Sequence, residues 1–152
     1  MTDTQDIKQA VEAFHKLSSQ DESTLLELNN KIQSHTGKWG VQKGGEKNED
    51  GTIQMYWVQN DPLIAEFITF MYDKNLLPFF EWMKWDEGSK LFTSTDKAKY
   101  DNVDIETALK LIYAATRKER FADGTLSFAF ELGGFPKLIN QLVLLKMQLN
   151  EK

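Results

Sequence analysis

Apolar residues recur every three or four positions over most of this chain. Ile7, Ala10, Val11, Phe14 and Leu17 fall on one helical face and predict a first amphipathic helix. The polar run SSQDES (18–23) interrupts it. Leu25, Leu28 and Ile32 then predict a second helix, with Asp21 or Ser23 as its N-cap and His35 at its end, before the glycine of HTG. Over 37–59 the period changes to two. Trp39 and Val41, and later Ile53, Met55 and Trp57, alternate with polar residues around the turn KGGEKNEDG. That pattern predicts a β-hairpin with one buried face. Two strands alone are marginal in water, so the hairpin must pack on helices or on further strands.

Helical spacing then returns. Asn60 or Asp61 caps a helix that opens with Pro62 and buries Leu63, Ile64, Phe67, Ile68 and Met71. Pro78 breaks the aromatic stretch LLPFFEWMKWDEGSKLFTS, which reads as an extended entry and a short helix or strand, followed by the polar loop STDKAKYDN. Asp104 caps a helix with Ile105, Ala108, Leu109, Ile112 and Tyr113 inward. Asp123 caps a short helix, Thr125 to Leu132, closed by Gly133 and Gly134. Pro136 opens a last helix with Leu138, Ile139, Leu142, Leu145 and Leu149 on its apolar face. The sum is an α+β fold, mainly α, with about six helices packed with a small antiparallel hairpin or sheet, in a single domain over 1–152.

Composition narrows the function classes. The absence of cysteine removes thiolate nucleophiles and thiolate metal sites, and it fits a reducing cytoplasm. The acidic N-terminal segment lacks the basic and apolar regions of a secretory signal. No apolar run reaches the ~18 residues of a membrane span. A net charge of −5 repels duplex nucleic acid and anionic membrane.

Catalytic patterns are missing. His15 and His35 stand apart from any nucleophile or ligand spacing and read as exposed or helix-capping. KGGEKNEDGT lacks the Gly-x-x-x-x-Gly-Lys-Ser/Thr spacing of a phosphate cradle. The expectation is therefore no catalytic residue, no metal and no cofactor. Asp86-Glu87 beside Trp82 and Trp85 offers carboxylates next to stacking rings, the one arrangement that suits a carboxylate-dependent hydrolase.

Two other places invite a ligand. Phe79, Phe80, Trp82 and Trp85 are too closely spaced for one helix face to bury, so some rings remain for a partner. The chain's two arginines, Arg117 and Arg120, share a helix face beside Phe121 in TRKERFADG, whereas its sixteen other cations are all lysine. Arginine's planar fork suits carboxylates and phosphates. With Gly124 and Glu131 these residues form a candidate anion or partner site. The structural alternative is a joint in which Phe121 turns inward, Gly124 permits the bend, and the arginines hold the next helix through Glu131 or Asp123.

Arg117, Arg120-Phe121, Gly124, Phe130-Glu131 and Gly133, followed by a leucine-rich helix, resemble the C-terminal signature of a bacterial family, domain-of-unknown-function family 6508. Pro78-Phe79 and Trp82 to Trp85 are similar to its middle segment, so the resemblance covers about 62–146. The double glycine Gly133-Gly134 departs from that pattern. The resemblance implies a shared fold and no activity. The expectation is a small cytoplasmic bacterial protein that binds another protein or its own copy. One alternative is a nucleic-acid regulator whose segment Ile105 to Leu149 mimics a helix-turn-helix; the hydrolase is the other.

Overall fold

The computed structural model describes residues 3–86, 88, 100 and 103–150. Among them six α-helices, one turn of 3-10 helix and two strands follow in order. These are α1 (Asp3–His15), α2 (Ser19–Gln33), β1 (Gly40–Lys43), β2 (Trp57–Asn60), α3 (Pro62–Asp73), the 3-10 turn Trp82–Lys84, α4 (Ile105–Glu119), α5 (Thr125–Glu131) and α6 (Gly134–Asn150). The architecture is α+β and mainly α, as the apolar spacing predicts. The segment 94–102 lies outside the described residues apart from Tyr100, which is buried.

Helix α4 is the hub. Ala108, Leu109, Leu111, Ile112 and Ala115 are all buried, and the helix packs against α1, α5 and α6. Helix α2 closes the other side on α3 and α6 through Leu25, Leu28 and Ile32. Each fully buried aliphatic or aromatic side chain contributes about 1.5–3 kcal/mol. The helices bring most of these residues, so they set the fold.

The caps of α3 and α4 follow the sequence, and that of α2 shifts. Asp61 accepts from the Leu63 N–H at 2.9 Å and Asp104 from the Thr107 N–H at 2.8 Å. Helix α2, however, is capped by Ser18, whose Oγ accepts from the Asp21 N–H at 3.1 Å. Asp21 and Glu22 lie instead in the first turn, where the helix dipole favours acids.

Helix α6 begins at Gly134, which puts Pro136 in its first turn. Leu138, Ile139 and Leu142 are buried, but Leu145 and Leu149 are only half-buried, and Lys146 takes the inward place. Its Nζ donates to the His15 carbonyl at 2.8 Å and lies 3.4 Å from Glu22 Oε1. A buried ammonium is tolerated there because both partners come from the packed ends of α1 and α2.

The hairpin forms where the alternation predicts it, with Val41 opposite Gln59, Lys43 opposite Trp57, and a further bridge of Lys47 to Ile53. Its face is reversed from expectation. Trp39 is buried, yet Val41, Ile53, Met55 and Trp57 are exposed. Helix α5 covers the opposite face, where Gly40 meets Ser127 and Val58 meets Gly124. The reason is backbone access: only glycines at 40 and 124 let helix and strand approach this closely.

Candidate functional site

Tyr113, Arg117 and Phe121 are spaced four residues apart along α4 and its exit, so they line one face. The segment after α3 lies along that face. Phe79 contacts Tyr113 with ring centroids 6.0 Å apart, and Trp82 contacts Phe121 at 6.5 Å. The aromatic patch and the arginine joint, two separate features of the sequence, therefore form one surface. Arg117 lies between its two ring contacts along the helix, and Arg120 follows at the C-cap.

Neither guanidinium pairs with an acid among the described residues. The Arg117 Nε is buried and has no hydrogen-bond partner. Phe121, expected inside, is 75% exposed, and Met83 (78%) and Phe79 (64%) are also open. The chain turns at Gly124, which adopts φ +92° as the predicted bend requires, and Phe121 stays outside that turn beside Trp82. The four predicted aromatics divide. Phe80 is buried against Tyr113 and Trp85, Trp82 and Trp85 are half-buried, and Phe79 is exposed. The Lys110 ammonium sits 4.4 Å from the Trp85 ring centroid and 5.1 Å from that of Phe80, a cation–π contact that fixes the inner edge.

The joint itself is not held by the arginines. Glu119, the last residue of α4, accepts from the backbone N–H of Gly124 at 2.7 Å and of Leu126 at 3.1 Å. The Gly124 and Leu126 amides, which would otherwise face an external anion, are thus filled by the chain's own carboxylate. Gly124, and not Asp123, occupies the N-cap of α5. Asp123 instead accepts from the Val58 N–H on β2, and Glu131 accepts from the Trp39 N–H at 2.9 Å. Ser127 Oγ bonds Asn60 and the Trp39 carbonyl. Helix α5 is fastened to the hairpin from both ends. Sequence carried one sign of this. An acid in the last turn of a helix opposes its own dipole, and Glu119 is there because it serves the next helix.

His35 is also not a free helix end. Its ring stacks on Trp39 at 3.6 Å between centroids, and its Nε2 lies 3.0 Å from Asp61 Oδ2. Burial opposes ionisation of Asp61, but the Leu63 N–H and the His35 ring outweigh it and hold its pKa below the ordinary value of 3.8. The arrangement staples the end of α2 to the start of α3. His15 is exposed.

No group of three potential metal ligands occurs among the described residues. Asp86 is exposed, and Glu87 lies outside the described residues. No described helix is long and apolar enough to cross a membrane. Helix α5, the second helix of a would-be helix-turn-helix, carries no cation and is tied to the hairpin.

The model of a family of unknown function, DUF6508, matches residues 17–147. The chain belongs to this family. The match extends well before residue 62 and takes in α2, the hairpin and every contact between the hairpin and α5. The residues that carry the resemblance acquire structural positions: Gly124 makes the turn, Phe130 packs in the core against Trp39, and Glu131 holds the hairpin. No curated protein and no solved structure matches the chain.

Proposed function

We propose that the protein acts by binding another protein through the surface of Phe79, Trp82, Met83, Arg117, Arg120 and Phe121. One observation carries this reading: both arginines of the chain lie at the end of α4 next to the exposed Phe121, and neither has an acid partner among the described residues. Trp, Tyr and Arg are the residue types that dominate binding energy at protein interfaces. A guanidinium without a carboxylate partner among the described residues is ready to receive one from outside. The partner this surface suits presents a carboxylate flanked by apolar or aromatic side chains.

The test compares affinity capture by the wild type, by Arg117→Ala/Arg120→Ala and by Phe121→Ala. The expected result is a partner retained by the wild type and lost by both variants, with helical content unchanged by circular dichroism. Equal retention by all three, with the fold intact, removes this surface from consideration.

A further inference from the structure

A second surface, independent of the first, lies along the outer edge of β1. Opposite residues of an antiparallel pair either exchange backbone hydrogen bonds or turn their N–H and C=O groups away from each other, and the two states alternate. Val58 settles which state applies here, because its N–H leaves the sheet and donates to Asp123 Oδ2. Gln42 stands directly opposite Val58, so its N–H and C=O point away from β2. Two residues back along the strand, Gly40 is turned the same way. The Asp61 N–H donates to the Trp39 carbonyl at 2.7 Å, which fits that alternation.

The two edges of the hairpin are therefore unlike. On β2, Asp123 takes the Val58 N–H, and the Asn60 side chain is bonded to Ser127 and Glu119. On β1, no described group bonds the outward N–H and C=O of Gly40 or Gln42. Val41, Gln42 and Lys43 are all exposed. A bare strand edge accepts another extended chain, whose backbone completes its hydrogen bonds. A third strand also adds the stability that two strands lack.

Charge selects what that chain is. Lys38 and Lys43 stand at the two ends of the edge, both exposed, and neither pairs with an acid among the described residues. Lys38 lies on the side that faces α5, and Lys43 shares the open face with Val41 and Trp57. Beyond Lys43 the chain turns through Gly44 and Gly45, both at positive φ, and Glu46 and Lys47 follow with opposite charges. The two lysines thus set the sign of the edge. They repel a second copy of the same strand and attract carboxylates. We propose that β1 takes an acidic, extended segment of a partner protein as a third strand. The Gly40 and Gln42 backbone groups hold it, a carboxylate meets Lys43, and an apolar side chain two positions away rests on Val41.

The probe is a short labelled peptide of alternating glutamate and valine. Fluorescence anisotropy is expected to show binding by the wild type, weakened about tenfold in Lys43→Glu. Gln42→Pro should weaken it similarly, because it removes an edge N–H and leaves the bonds to β2 in place. At saturating peptide, amide exchange at Gly40 and Gln42 should slow in the wild type. The same peptide with every backbone nitrogen methylated, equal in charge, should fail to bind. No binding by the wild type leaves the lysines as guards of the edge and overturns the proposal. Equal binding of the methylated peptide, or unchanged exchange at Gly40 and Gln42, does the same. So does binding that Arg117→Ala/Arg120→Ala abolishes and Lys43→Glu does not, which puts the peptide on the arginine surface. Slow exchange at these amides without peptide, increasing with protein concentration, assigns the edge to a second copy and overturns it too.

Discussion

The Glu119 carboxylate accepts the Gly124 N–H at 2.7 Å, so the end of one helix caps the start of the next. This contact sets the angle at which α5 leaves α4 and meets the hairpin. Leu126 donates to the same carboxylate. Removing the acceptor leaves two part-buried backbone N–H groups, and the Asn60 side-chain amide, without this partner. Glu119→Ala should cost about 1–3 kcal/mol in urea unfolding, and Glu119→Gln, which keeps one acceptor oxygen, clearly less. Equal losses for the two would show that packing, not acceptance, matters here.

Asp61 gives a pH signature. Its folded pKa is lowered, so its contribution is present above the unfolded value near 3.8 and is lost as pH falls below it. Asp61→Ala should cost about 1 kcal/mol near neutral pH through the lost cap of α3. The gap between variant and wild type should narrow as pH is lowered through 4 toward 3. A gap that stays constant across that range contradicts the assignment.

Gly40 is fixed by contact. A Cβ there would meet Ser127 Oγ and Cβ. Gly40→Ala should destabilise by about 1–3 kcal/mol through overpacking. Ser127→Gly in the same chain should recover part of that loss, and a purely additive double variant would place the cause elsewhere.

Lys146 contributes through its stem as well as its charge. Lys146→Ala opens a cavity between α1, α2 and α6 and should cost about 2–4 kcal/mol. Lys146→Met keeps the aliphatic volume and should stay within about 1 kcal/mol of wild type. Thermal melts of the two variants separate packing from ion pairing with Glu22.

Arg117 should behave in the opposite sense. Its buried Nε lacks a partner, which is a cost in the free protein. Arg117→Met should leave stability unchanged or raise it by up to about 1 kcal/mol. A loss larger than that would make the arginine a structural residue.

Much of this fold is legible from periodicity. Leu63, Ile64, Phe67, Ile68 and Met71 of α3 are all buried as their spacing demands, and Ala108, Leu109 and Ile112 of α4 likewise. The caps at Asp61 and Asp104 also follow from residue type. These are local matters, decided by the 3.6-residue repeat and by side chains that reach the next turn. The candidate site was legible only in parts. Arg117, Arg120, Phe79 and Trp82 stand out by composition, but nothing along the chain shows that Trp82 meets Phe121.

The reversed hairpin marks where sequence reading ends. Its alternation determines two strands and two unlike faces, and the Asp50-Gly51 turn agrees with their register. Which face the body covers depends on what approaches from outside the strands. Ser127 can lie against Gly40, and Asp123 can reach the Val58 N–H, because Gly124 and Glu119 aim α5 at that side. The sequence by itself determined the helices, the strand pair and the two arginines. The tertiary structure alone decided that α5 would cover the polar side of the hairpin. Close backbone approach and a carboxylate shared across a turn outweighed burial of the apolar side, which they left open to solvent.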